Sequence, residues 1–302
     1  MEPKARRSQL STALVHPVGA LREFSYNPRV LALARGLHLT NMLRKCYQWV
    51  TGGKREILKV RLGGFEVLFH VRSAVDYRNI EHYFVSYERD FFDALVSSLA
   101  EGDVLLDVGS SIGQITVPIA KVVGKSGLVI AVEPEANACS ELEANLRLNA
   151  SSNVRILRMA LGDARREGRL AWKDGGCPSL VNVSPQDQEI ASKMAPSATR
   201  GLELVSVEVG DQVMEREGLP IPQAVKIDVE GFEFQVISGL RQTLRNASCR
   251  LLCCEIHPAF LPGGTTPQLI IEEVKSLGFK NLDLRERSGQ IHVVARKDDS
   301  QA

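Results

Sequence analysis

An α/β fold with a mostly parallel sheet is what this sequence predicts, and three observations predict it. Short apolar runs of strand length recur at Val104–Leu106, Gly127–Val132, Val154–Ala160, Ala224–Asp228 and Arg250–Ile256. Runs of this kind mark strands buried on both faces. Segments of helical period follow them: Gln114–Val123, Glu135–Leu148, Phe232–Ser238 and 268–277. Finally, the runs end in chemistry-bearing residues, Asp107, Glu133, Asp228 and His257. Open α/β sheets bind ligands at the carboxyl ends of their strands.

The elements follow in order. Residues 1–28 have no clear periodicity and read as an irregular start. Residues 29–50 read as a helix with an apolar stripe through Leu33, Leu37, Leu43, Cys46 and Val50 and a basic remainder. Such a helix either packs on the domain with a solvated face or makes weak contact with an anionic membrane surface. Residues 57–72 alternate as a hairpin around Gly63-Gly64. Residues 80–100 carry Phe84, Tyr87, Phe91, Phe92, Leu95, Val96 and Leu99 at helical spacing, with Asp90 and Asp93 on the polar side. Residues 1–85 therefore form an N-terminal helical segment and hairpin flank, and 86–302 the main domain. Between Arg169–Trp172 and Leu202–Val209, which pair as strands, Asp174–Arg200 is rich in Gly, Pro, Ser and Ala and reads as a long substrate flap. Asp211 opens a helical stretch to Glu217. Gly239 is read as the stop of the helix from Phe232. Phe279–Leu284 and Ile291–Arg296 close the sheet as an antiparallel pair around Ser288-Gly289.

The totals exclude several function classes. A net charge of +1 in 302 residues offers no field for nucleic acid. No apolar run approaches the roughly 18 residues of a membrane span. The six cysteines form no C-x-x-C pair, which argues against a zinc knuckle and fits free thiols in a reducing cytoplasm.

The chemistry concentrates in Gly102–Gly113, GDVLLDVGSSIG. A strand that turns through glycine into a helix leaves backbone N–H groups for a ligand. A dinucleotide site takes G-x-G-x-x-G, whereas here Asp107 precedes Gly109 and Gly113 with Ser111 between them. An acid before the turn repels a pyrophosphate and suits a cation, such as the amino group of S-adenosylmethionine. Glu133, about 20 residues on, stands where α/β nucleotide domains place an acid on ribose hydroxyls. Asp163 either accepts from an adenine amino group or caps a turn. Asp228 and Glu230 sit at a strand end and a helix start, where the helix dipole keeps acids ionised. Lys226 shares the strand face of Asp228. His257 follows the fifth strand and is either structural or part of the same site.

Together these residues resemble a class I S-adenosylmethionine-dependent methyltransferase, and more narrowly the FkbM family. The matching stretches are YERDFF at 87–92, GDVLLDVGSSIG, AVEPEANACSELEANLRLN, ALGD at 160–163, VKIDVEGFEFQVISGL at 225–240 and CEIHP at 254–258. The resemblance implies a Rossmann-like, seven-stranded, mostly parallel sheet with its last strand antiparallel and helices on both faces. It implies O-methylation of a sugar or secondary-metabolite hydroxyl, hence a small-molecule or glycan acceptor. Asp107, Gly109, Ser110, Ser111 and Gly113 would hold the methionine end of S-adenosylmethionine, Glu133 its ribose, and Asp163 would lie by the adenine. Asp228, Glu230 and His257 would line the methyl-transfer end, with His257 or Asp228 as base. His257 is the better match by its reference pKa of about 6.5. The family usually has asparagine at the position of Ser111. No residue is assigned as a metal ligand, although Asp228, Glu230 and His257 have donor types that a divalent cation takes. A non-catalytic cofactor-binding module and an NAD-dependent oxidoreductase stay open beside this reading. Oligomeric state is not readable from the sequence.

Overall fold

The computed structural model describes residues 56–62, 64–71, 80, 89–172, 178–181 and 203–298, and these divide into two compact units. The expected helix over 29–50, the turns carrying Phe84 and Tyr87, and most of the flap over 174–200 lie outside the described residues. Among the described residues no helix is long and apolar enough to cross a membrane.

One unit holds the hairpin. β1 (Glu56–Leu62) and β2 (Phe65–Val71) pair antiparallel, from Glu56 opposite Val71 to Leu62 opposite Phe65. Alternation buries Leu58, Val60 and Leu62 on one strand and Val67, Phe69 and Val71 on the other.

The second unit begins with α1 (Arg89–Ser98), which buries Phe91, Phe92 and Leu95. Then follow β3 (Val104–Val108), α2 (Thr116–Val122), β4 (Leu128–Val132), α3 (Ala136–Leu148) and β5 (Val154–Leu157). Next come β6 (Ala160–Gly162), β7 (Arg166–Trp172), β8 (Pro178–Val181) and β9 (Glu203–Val209). The chain continues through α4 (Gly210–Arg216), β10 (Ala224–Ile227), α5 (Glu233–Gly239), α6 (Arg241–Arg245) and β11 (Leu251–Ile256). It closes with α7 (Pro267–Ser276), β12 (Asn281–Arg287) and β13 (Gln290–Arg296).

The main sheet has seven strands in the order β12-β13-β11-β10-β3-β4-β5. β11, β10, β3, β4 and β5 are parallel, and β13 enters antiparallel between β11 and β12. From β3 the chain moves one way through α2 and α3, and from β10 the other way through α5 and α6. Crossovers of this kind are right-handed, so the two sets of helices cover opposite faces. Every residue of β3, β10 and β11 is accordingly buried. The core joins Leu106, Ile130, Val225, Ile227 and Leu252 of the sheet to Val236, Ile237, Ile270 and Phe279.

Three expectations need correction. The run Val154–Ala160 is not one strand. It breaks at Arg158-Met159, and β6 leaves the main sheet to pair parallel with β9 in a four-stranded sheet, β6-β9-β7-β8. The stretch read as flap contains β8, which pairs antiparallel with β7. Gly239 ends α5 but not by left-handed geometry, because its φ is not positive. It is a close-approach position, where a Cβ would overlap the Gly162 carbonyl.

Gly109 and Gly218 separate backbone strain from steric exclusion. Both have positive φ, +79° and +59°, but a Cβ on Gly109 would run into the Asp228 carbonyl, whereas Gly218 has open space. Gly218→Ala is expected to cost about 1 kcal/mol and Gly109→Ala at least about 3 kcal/mol in urea unfolding. Equal losses at the two positions would contradict this account of the turn.

Candidate functional site

The turn after β3 is held by the end of β4. The N–H groups of Gly109 and Ser110 both donate to the Val132 carbonyl, at 3.0 and 3.1 Å. Ser111 N–H donates to Glu133 Oε2, and Glu135 N–H to Glu133 Oε1, each at 2.8 Å. Gly113 N–H closes the turn on the Ser110 carbonyl. This corrects the expectation of N–H groups left for a ligand: four of the turn's donors are engaged within the protein. What the turn offers instead is a carboxylate, Glu133, and the buried Ser110 hydroxyl, which makes no hydrogen bond. Ser111, a residue with a side chain, holds a φ of +48° in this turn.

Asp107 lies inside the protein, 0% exposed. Its Oδ2 accepts from Thr116 Oγ1 at 2.6 Å, which anchors the start of α2. Its Oδ1 faces Lys226 Nζ at 3.7 Å. Lys226 in turn donates to the Gly109 carbonyl at 3.1 Å and to Asp228 Oδ2 at 3.2 Å. One ammonium therefore ties the ends of β3 and β10, where Asp228 N–H also donates to the Val108 carbonyl.

Beyond β10, Glu230 and Gly231 have φ of +52° and +101°. The tight turn lets Glu233, at the start of α5 and 0% exposed, fold back. Glu233 Oε1 accepts from Gly231 N–H at 2.8 Å and from His257 Nδ1 at 2.7 Å. The far side of the imidazole, Nε2, is ringed by Asp228 Oδ1 at 3.9 Å, Glu230 Oε2 at 3.8 Å and Glu255 Oε1 at 3.8 Å. Glu255 also faces His292 Nε2 at 3.4 Å.

Burial raises Glu133 to about 7, against its two backbone donors. Burial raises Glu230 to about 7 as well, outweighing the nearby His257. This corrects the expectation that the helix start keeps Glu230 ionised. Burial also pushes Asp228 upward, but Lys226 and His257 outweigh it and hold its carboxyl below the usual range. For His257, burial opposes the cation. The Glu233 hydrogen bond and the Asp228, Glu233 and Glu230 charges prevail and raise it to about 10. His257 is thus charged at neutral pH, and the match drawn from its reference value does not hold in the fold.

Asp107 near the end of β3 and Glu133 and Asp228 just past the ends of β4 and β10 meet at one edge, with Glu230 and His257 beside them. Asp163 does not stand at the tip of a main-sheet strand. It follows β6, is exposed, and pairs with Arg166 at 3.2 Å. Lys226, Glu233 and Glu255 were not assigned a role from sequence. Glu255 had a readable signal: a charge inside the apolar run Leu251–Ile256, two residues from His257 and so on the same strand face.

Residues 107–280 match the family profile of the methyltransferase FkbM domain. The chain is similar to the hexuronic acid methyltransferase AglP of Haloferax volcanii, 28% identical over 227 residues that span 72% of this chain and 82% of that protein. Among solved structures it is similar to an rRNA methylase from Streptococcus thermophilus, at 10% identity and a TM-score of 0.43, over 69% of this chain and 94% of that one. It is also similar to a SAM-dependent methyltransferase from Aquifex aeolicus, at 12% identity and a TM-score of 0.40, over 74% and 95% of the two chains.

The buried Glu233–His257 pair sets an expectation of its own. Removing one partner of such a pair costs about 3–5 kcal/mol, because the other charge is left buried and unpaired. Glu233→Ala is expected to fall in that range in urea unfolding. Glu233→Gln, which keeps the shape and one acceptor for Gly231 N–H, is expected to lose less.

Proposed function

The chain belongs to the family of methyltransferases with the FkbM domain, and we propose from that premise that it O-methylates a hydroxyl of a sugar or related polyol with S-adenosylmethionine as donor. The observation that carries the reading is the convergence of Glu133, Asp107 and Asp228 from three adjacent strands on one edge, beside a turn whose Gly109, Ser110, Ser111 and Gly113 N–H groups are engaged within the protein. The name of the Haloferax volcanii relative supports the sugar class.

The residues fit the donor. Glu133 has both carboxylate oxygens at the tip of β4, each with a lone pair beyond its backbone donor, which suits a ribose diol. The unpartnered Ser110 hydroxyl supplies a polar contact in the turn. The buried Asp107 braces the turn through Thr116 and Lys226 and adds negative potential without touching the ligand. Bound there, the donor supplies a methyl group on a sulfonium, whose sulfur keeps the C–S bonding pair as the methyl passes to the acceptor oxygen.

The acceptor's proton goes to the protein. Asp228 and Glu230 are the partly exposed carboxylates at this edge, while the His257 ring is enclosed. Asp228 already accepts from Lys226. Glu230 is therefore assigned as the base, with Asp228 orienting the hydroxyl and His257 holding both carboxylates in place. Fixing the acceptor oxygen in line with methyl and sulfur lowers the barrier by up to about 7–11 kcal/mol. A general base adds roughly 10²–10⁴-fold.

Two measurements test this reading. Calorimetry is expected to detect S-adenosylhomocysteine and not NAD. Its affinity is expected to fall about tenfold from pH 8 to pH 6, because a Glu133 carboxyl near 7 in the free protein must ionise before it accepts the diol. Glu133→Gln is expected to bind roughly tenfold or more weakly, with that pH dependence flattened. In a labelled-methyl assay across monosaccharides and hexuronates, Glu230→Gln is expected to lose roughly 10²–10⁴-fold in kcat with unchanged S-adenosylhomocysteine affinity. Tight NAD binding instead would sink the assignment.

A further inference from the structure

Around His257 the carboxylates stand at a spacing that hydrogen bonds do not explain. Nδ1 is satisfied by Glu233 at 2.7 Å. At Nε2, the oxygens of Asp228, Glu230 and Glu255 lie at 3.8–3.9 Å, beyond hydrogen-bond reach. The donor atoms of Asp228, Glu255 and His257 all lie within 4.8 Å of one another. Glu255 is buried, and its Oε1, which stands between His257 Nε2 at 3.8 Å and His292 Nε2 at 3.4 Å, makes no hydrogen bond. Four carboxylates thus converge on one imidazole; among the described residues Lys226 reaches them through Asp228 and His292 faces Glu255.

From this gap we infer that Asp228, Glu255 and His257 bind a divalent first-row cation, which takes the place of the Nε2 proton of the free, charged His257 and releases that proton to solvent. An ion placed among three donors about 4 Å apart sits roughly 2.2–2.5 Å from each, close to the metal–nitrogen and metal–oxygen distances of such sites, about 2.0–2.3 Å. The mixed imidazole and carboxylate set favours Mn²⁺, Fe²⁺ or Zn²⁺ over Mg²⁺ and Ca²⁺, which take oxygen ligands. Glu233 on Nδ1 is the partner that metal-bound histidines usually have on their other nitrogen. It fixes the ring so that Nε2 faces the gap, and so acts as a positioning residue. Glu255 and His257 are buried, while Asp228 is partly exposed, so the open coordination positions face the Asp228–Glu230 side.

The role of the ion rests on the methyl-transfer reading, but the site does not. A cation at that place binds the acceptor oxygen directly and lowers the pKa of its hydroxyl, so Glu230 removes the proton from a more acidic group. It also offsets the excess of carboxylates.

The test uses the full chain, stripped with a chelator and titrated with Mn²⁺ under electron paramagnetic resonance. One Mn²⁺ per chain is expected, displaced by Zn²⁺ at far lower concentration than by Mg²⁺. Asp228→Asn and Glu255→Gln are each expected to weaken Mn²⁺ binding roughly 100-fold or more, and Glu233→Gln about 10–100-fold. Asp228 is partly exposed, so its variant tests the site even where Glu255→Gln does not fold. S-adenosylhomocysteine affinity, measured on the same samples, keeps the two readings apart. Wild-type protein that binds the nucleoside but not Mn²⁺ overturns the metal site alone. Mn²⁺ binding unchanged in Asp228→Asn overturns it too. Metal binding without nucleoside binding supports the site and sinks the proposed function.

Discussion

A buried ammonium holds one edge of the main sheet together. Lys226 lies in the middle of β10, 2% exposed, with Asp107 on one side, Asp228 on the other and the Gly109 carbonyl above. A buried cation is costly unless compensated, and here two carboxylates and a carbonyl do so. The consequence is geometric. β3 and β10 cannot shift in register without stranding that charge, so the glycine turn and the Asp228–Gly231 turn keep a fixed relation. Gly109 tightens the same joint, because only a residue without Cβ fits against the Asp228 backbone.

Around that joint the protein gathers negative charge instead of dispersing it. Glu133 and Glu230 are both driven toward neutral pH by burial, while Asp228 stays ionised through Lys226 and His257. Carboxyls at different strand ends are thus given different protonation states by their surroundings. Under the proposed function, that separation of roles would let one sheet edge combine ligand binding and proton transfer.

Much of this was legible in the sequence. The buried strands declared themselves as apolar runs, and the hairpin as alternation around a glycine pair. The edge residues Asp107, Glu133, Asp228 and His257 were visible because each ends or follows such a run. What escaped depends on distant pairing. Val154–Ala160 has one continuous pattern, and its break at Arg158-Met159 follows from the pairing of β6 with β9. β8 sits in a stretch whose Pro and Ser content suggests loop. Glu233 reaches a histidine 24 residues away, a contact no local period encodes. The protonation of Glu230 and His257 reflects burial and neighbours, which reference values omit.

The outer strand β12 has a consequence for self-association. One face of it carries Asp283, Arg285 and Arg287, with Arg285 and Arg287 paired to Asp90 of α1. A second strand joining there would bring its own side chains alongside that row of charges and would have to dehydrate part of it. The molecule is thereby guarded against strand-to-strand polymerisation on that flank, as edge strands bearing charge generally are.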